Sequence, residues 1–158
     1  MTPIGHLAIG FAAKPYVARV HLGILLVATW VLDFIYIGLA IIAGEPFGSP
    51  NSIYKVWSHS LLMAVVLSSL TGLVAAWFYR NARAAAGIGL LAFSHWVLDF
   101  IMWDDLPLAL DSSPQLGLGL LKAAGVGAVL SIELGMMITG VTLYILHRRH
   151  LKRVAGNR

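Results

Sequence analysis

The sequence predicts an all-α fold, a polytopic transmembrane helix bundle of four spans with a short N-terminal membrane-associated helix. Three observations carry this. Of 158 residues, 59% are hydrophobic and only 11% charged, and the mean hydropathy is +0.83. A soluble domain carries about 25% charged residues, so this share cannot cover the surface of a 17.0 kDa globule. The apolar runs are continuous and about 20 residues long, the length of a bilayer-crossing helix, where barrel strands would alternate over about ten. The loops between them alternate in charge.

Residues 3–13 are apolar but too short to span, and they lack the basic start of a cleaved leader. They predict a helix lying on the membrane surface or dipping into the bundle. The first span covers about 22–43, with Asp33 as its only charge. The second covers about 57–79 and has no formal charge. The third, about 84–103, contains Asp99. The fourth, about 119–146, contains Lys122 and Glu133. Between the first two spans, Gly44–Ser52 reads as an exposed loop rich in Gly, Pro, Ser and Asn. Residues 147–158 form a basic tail. The whole chain, 1–158, reads as a single integral membrane domain.

Loop charge sets the expected direction. Lys14 and Arg19 precede span one, Arg80 and Arg83 separate spans two and three, and Arg148, Arg149, Lys152, Arg153 and Arg158 follow span four. The other connections hold Glu45, Asp104, Asp105 and Asp111 against Lys55. The basic loops and the C-terminus are therefore expected in the cytoplasm. The net charge of +4 is spread over these loops, so it points to membrane lipids and not to nucleic acid. The absence of cysteine excludes disulfides, thiolate metal sites and a cysteine nucleophile.

A charged side chain at mid-membrane costs at least ~2.5–3.5 kcal/mol, so it needs a partner, water or a metal. Asp33, His59, His95, Asp99 and Glu133 are such residues. His95 and Asp99, four apart, share one helix face, as do Thr29, Asp33 and Tyr36 on span one. At about 1.5 Å per residue, Asp33, His95 and Asp99 fall in the outer half of the bundle, with His59 within about a turn of the outer end of span two. Imidazoles and carboxylates from three helices suit Zn²⁺ or a related divalent ion. The bland reading is a hydrogen-bonded set that only holds helix faces together.

Span four carries a second pattern. Ala123, Gly127, Ser131, Gly135 and Thr139 recur every four residues, a small-residue ridge that lets another helix approach. Glu133 points about 160° away from it. If Glu133 faces the interior, the ridge faces outward, and it would serve a homo-oligomer or a larger membrane complex. The alternative is packing within the same bundle.

Gly5–His6, Leu32–Asp33, Ser58–His59–Ser60 and Ser94–His95–Trp96–Val97–Leu98–Asp99 together resemble the bacterial membrane-bound metal-dependent hydrolases, a family distantly related to zinc-dependent phospholipases C. The resemblance covers roughly residues 3–110. It implies metal ligands at His6, Asp33, His59, His95 and Asp99, and location in a bacterial inner membrane. A ligand at His6 would require the N-terminal helix to enter the membrane from the outer side. Ile35 stands where many members carry a second Asp, and Tyr54–Lys55–Val56 stands where many have His-Arg-Gly. Those departures leave a mononuclear site, or a binding protein without catalysis.

The leading expectation is a membrane-embedded metal-dependent hydrolase acting on a lipid-like ester or phosphoester near the outer leaflet. The ion would activate a water, and Asp99 or Glu133 would serve as general base. One alternative is a non-catalytic membrane subunit whose polar groups hold helices or a partner together. Another is a redox subunit binding haem or copper through His59 and His95, although their expected depths differ by about 10 Å.

Overall fold

The computed structural model describes residues 3–45, 53–110 and 114–156. Asp111, Arg158 and all of the Gly44–Ser52 loop beyond Glu45 lie outside the described residues. Among the described residues the chain forms seven helices: α1 (Pro3–Ala13), α2 (Leu22–Ala28), α3 (Val31–Ala43), α4 (Ile53–His59), α5 (Leu61–Tyr79), α6 (Ala82–Met102) and α7 (Leu120–Gly156). A two-residue antiparallel ladder, β1 (Leu106–Pro107) with β2 (Gln115–Leu116), closes the connection between α6 and α7. Among the described residues three helices, α5, α6 and α7, are long and apolar enough to cross a membrane, and α2 with α3 makes a fourth span if the bent pair is one. Large apolar side chains such as Leu73, Trp77, Phe78 and Ile138 face outward. A bilayer solvates such a surface, whereas water would not.

The first span is not the single helix expected over 22–43. It breaks at Thr29–Trp30 and bends by 60°. The Thr29 hydroxyl donates to the Leu26 carbonyl at 2.7 Å, and α3 restarts with Trp30 as its cap. This gives α3 an N-terminus inside the span, with Asp33 in its first turn. The unpaired N–H groups and dipole at a helix N-terminus favour a carboxylate there, which explains how an acid is tolerated at that depth. At its far end α3 stops at Gly44, whose φ of 70° suits glycine, with the Glu45 N–H bonded back to Ala40.

The second span is also interrupted. Ser60 ends α4 and caps α5, its hydroxyl accepting the Met63 N–H at 3.3 Å. The helix long enough to cross a membrane therefore starts at Leu61, later than residue 57, and His59 closes the short α4 before it instead of standing near the start of a continuous helix. α5 and α6 form a tight hairpin. The turn is only Arg80, in the left-handed region at φ 47°, and Asn81, whose side chain accepts the Ala84 N–H at 2.9 Å. Gly72 and Gly89 let the two helices approach closely: a Cβ on Gly89 would stand 3.1 Å from the Ser68 carbonyl oxygen.

α7 bends at Gly125 and then runs unbroken through the residues expected as a tail, 147–156. Lys and Arg are good helix formers, so the basic segment prolongs the last span instead of fraying. α1 is not a surface helix. It packs along α7, where a Cβ on Gly140 would collide with the Ala8 carbonyl oxygen. Phe11 meets Tyr144 further along, so the two helices run in the same direction.

The basic connections gather at one end of the bundle and the acidic ones at the other. At the acidic end Lys55 pairs with Asp105 at 2.9 Å and Lys122 with Asp104 at 2.6 Å. Bonding to the Lys122 ammonium holds the Asp104 carboxyl below its ordinary range. One apolar core, including Val20, Leu25, Ala84 and Leu91, fills the basic half. A second, of Leu32, Ala64, Trp96 and Leu106, lies toward the acidic end. The polar cluster stands beside this second core.

Candidate metal centre

The five residues expected as ligands converge. The Nε2 of His59 lies 3.2 Å from an oxygen of Asp33 and 3.7 Å from Asp99. The Nε2 of His95 lies 3.5 Å from the same Asp33 oxygen and 3.4 Å from Asp99. His6 reaches the other Asp99 oxygen at 3.7 Å, and its ring stacks on His95 with centroids 3.9 Å apart. His6, His95 and Asp99 form one group of donor atoms able to hold a metal ion, and Asp33, His59 and His95 form a second. All are buried except Asp33, whose side chain is 30% exposed. Approach to the cluster is therefore over Asp33.

The hydrogen bonds behind the rings determine what the rings present. His95 Nδ1 sits 2.8 Å from the Thr29 carbonyl oxygen. A carbonyl only accepts, so Nδ1 carries a proton, and in the neutral ring Nε2 offers a lone pair. Ser58 Oγ donates its one proton to the Tyr54 carbonyl at 2.8 Å. The same oxygen lies 2.7 Å from His59 Nδ1, so the two share a hydrogen bond behind the ring. When Nδ1 holds the proton of that bond, His59 Nε2 is also a lone-pair nitrogen. Fixing the imidazole from behind by a carbonyl or hydroxyl is the usual support of a metal-ligating histidine.

Two lone pairs therefore face two carboxylates in a buried site. Without a cation or extra protons that contact is repulsive. Among the described residues His95 Nε2 and His6 Nδ1 have no hydrogen-bond partner although both are buried, and a buried donor or acceptor left unmatched costs about 1–3 kcal/mol. Donor atoms around a tetrahedral Zn²⁺ with ~2.0 Å bonds are about 3.3 Å apart. Within the second group, Asp33 lies 3.2 Å from His59 and 3.5 Å from His95, which brackets that value. The donor set fits a divalent cation.

The breaks in the first two spans build this site. Met63 N–H is taken by Ser60, so the His59 carbonyl loses its helical donor and instead accepts the Trp96 indole N–H at 2.9 Å. The adjacent residue, His95, occupies the Thr29 carbonyl at the other break. Consecutive residues of α6 thus satisfy both interruptions. Tyr36 adds an edge-on contact to His59, with centroids 6.1 Å apart.

Glu133 is fully buried on α7, as the ridge argument required, but it belongs to neither group of donor atoms. Ala123, Gly127, Ser131, Gly135 and Thr139 are all exposed, and a Cβ on Gly127 or Gly135 would meet nothing within 4 Å. The rings of His59 and His95 are 5.3 Å apart and share both carboxylates. The expected 10 Å difference in depth disappears because of the break at Ser60, and no porphyrin-wide slot separates the rings. What the residues alone did not signal were the supports: the Thr29 carbonyl, Ser58 and Trp96. Ser58 and Ser60, flanking a histidine before an apolar run, were the one local hint.

No family model matches the chain, and no curated protein or solved structure matches it.

Proposed function

We propose that this protein is a membrane-embedded metal-dependent hydrolase whose His/Asp cluster holds one divalent cation, zinc by the chemistry of its donors. One observation carries the reading: His59 and His95, each with Nδ1 hydrogen-bonded behind the ring, aim Nε2 at the same two carboxylates. The resemblance of the Ser-His-Ser and Ser-His-Trp-Val-Leu-Asp segments to bacterial membrane hydrolases supports the same assignment.

A bound divalent ion supplies a water of lowered pKa and polarises a substrate oxygen. Asp33, His59 and His95 hold the ion. Asp99, lying between these donors and His6, is the carboxylate placed to take a proton from the nucleophile and pass it on. Partly exposed Asp33 marks the side from which substrate enters. The acidic end is extracytoplasmic by the loop-charge rule, so the substrate is a lipid-like ester or phosphoester of the outer leaflet of a bacterial inner membrane, and the C-terminus is cytoplasmic.

The test pairs metal analysis with activity. Purified protein should carry stoichiometric metal and cleave a lipid-like ester or phosphoester, and His95→Ala should lose both. Equal trace metal in both proteins rejects the metal site. Full metal without hydrolysis of either bond type rejects the reaction.

A second reading rests on the outward ridge of α7. With nothing against Gly127 and Gly135, this face suits a second copy of the chain or a larger membrane subunit, and the His/Asp cluster would then be structural. Co-purification with a constant companion, without metal, would favour it.

A further inference from the structure

A cleft of about 280 Å³ opens at the basic end of the bundle, between the connection from α1 to α2 and the start of α6. Arg19, Asn81, Arg83 and Ala84 line it. Among the described residues neither arginine has a carboxylate within ion-pairing distance. The cleft also takes in the first turn of a 21-residue helix. Asn81 Oδ1 accepts only the Ala84 N–H of that turn, at 2.9 Å. The N–H groups of Ala82 and Arg83 have no acceptor within the helix.

The walls are held in place. Lys14 Nζ bonds the carbonyls of Ala18 and Val20, the latter at 2.7 Å, pinning the connection's backbone. Val20 is fully buried, and Val17 packs over Gly87, where a Cβ would lie 2.6 Å from Val17 Cγ2. The recess is thus formed before any ligand arrives, which lowers the cost of binding.

We infer that this cleft binds a phosphate group, carried by an anionic phospholipid headgroup or by a free phosphate ester. Paired guanidinium groups match phosphate oxygens bidentately. A helix N-terminus adds N–H donors and a favourable dipole. A basic recess between membrane helices at this end meets anionic headgroups directly. Arg83 lies twelve residues before His95 on the same helix, about 18 Å away along it. The site is therefore separate from the His/Asp cluster and does not depend on its chemistry.

The test uses the full-length protein in uncharged detergent, with thermal unfolding followed on titration with phosphatidylglycerol, phosphatidylcholine or inorganic phosphate. Phosphatidylglycerol should raise the unfolding temperature where phosphatidylcholine does not. The Arg19→Gln/Arg83→Gln variant should bind roughly tenfold more weakly. The Arg149→Gln/Arg153→Gln variant, which removes the same charge outside the cleft, should bind as the parent does. A shift with inorganic phosphate assigns the site to free phosphate, and a shift with the lipid alone assigns it to the headgroup. Equal weakening in both variants would reduce the effect to general charge and overturn the inference, as would the absence of any shift. Arg19 and Arg83 are exposed, so the single variants Arg19→Gln and Arg83→Gln remain available should the double variant fold poorly.

Discussion

His95 on α6 donates its Nδ1–H to the main-chain oxygen of Thr29, 66 positions earlier and at the point where the first span breaks. The same bond closes an open helix end and turns the opposite ring nitrogen toward two carboxylates. Replacing His95 with alanine removes both effects. The variant should retain less than a tenth of the parent's bound metal, measured by elemental analysis, and unchanged metal content would refute the assignment.

The two groups of donor atoms share one nitrogen, His95 Nε2. Its Nδ1 is engaged by Thr29, so the ring cannot bridge two ions. Titration should saturate at one divalent cation per chain. A ratio of two would require a donor set other than this one.

Ser58 lies behind the His59 ring, its hydroxyl bonded to Nδ1 and to the Tyr54 carbonyl. Ser58→Ala should weaken metal affinity by roughly 10–100-fold while leaving the saturating ratio unchanged. Competition with a chelator reads the affinity. An unaltered affinity would show that the His59 tautomer is set elsewhere.

Trp96 is nearly buried and spends its indole N–H on the His59 carbonyl. Trp96→Phe keeps most of the apolar volume but strands that carbonyl. The expected loss is about 1–3 kcal/mol, read from equilibrium unfolding in mixed micelles. A loss within about 0.5 kcal/mol would show that water replaces the donor.

Much of this could be read from the chain beforehand. The long apolar segments, the opposed loop charges and the polar residues Asp33, His59, His95 and Asp99 all follow from residue type and spacing. His6 does not. A lone imidazole in a short apolar stretch has no local signature, and only resemblance singled it out. The breaks at Thr29 and Ser60 were hidden for a different reason. Neither contains proline or glycine, and each is held by a bond from α6, dozens of residues away. Local propensity cannot report such a contact. The same blindness placed His59 inside a continuous span two, where it closes α4 ahead of α5, and ended the last helix near residue 146, where α7 continues to Gly156.

Gly140 tests the position of α1 without touching a donor. Any side chain there collides with the Ala8 carbonyl. Gly140→Leu should push α1 off α7, carrying His6 away from Asp99, and should lower metal affinity even though every donor remains. Retained affinity would mean that His6 is dispensable.

The two interrupted helices also impose an order on biogenesis. Thr29 and His59 leave the ribosome well before His95 and Trp96 do, so both gaps enter the bilayer with their main-chain oxygens unmatched. Docking of α6 supplies the donors to both oxygens, so a chain truncated before residue 95 would leave each of them without its α6 partner.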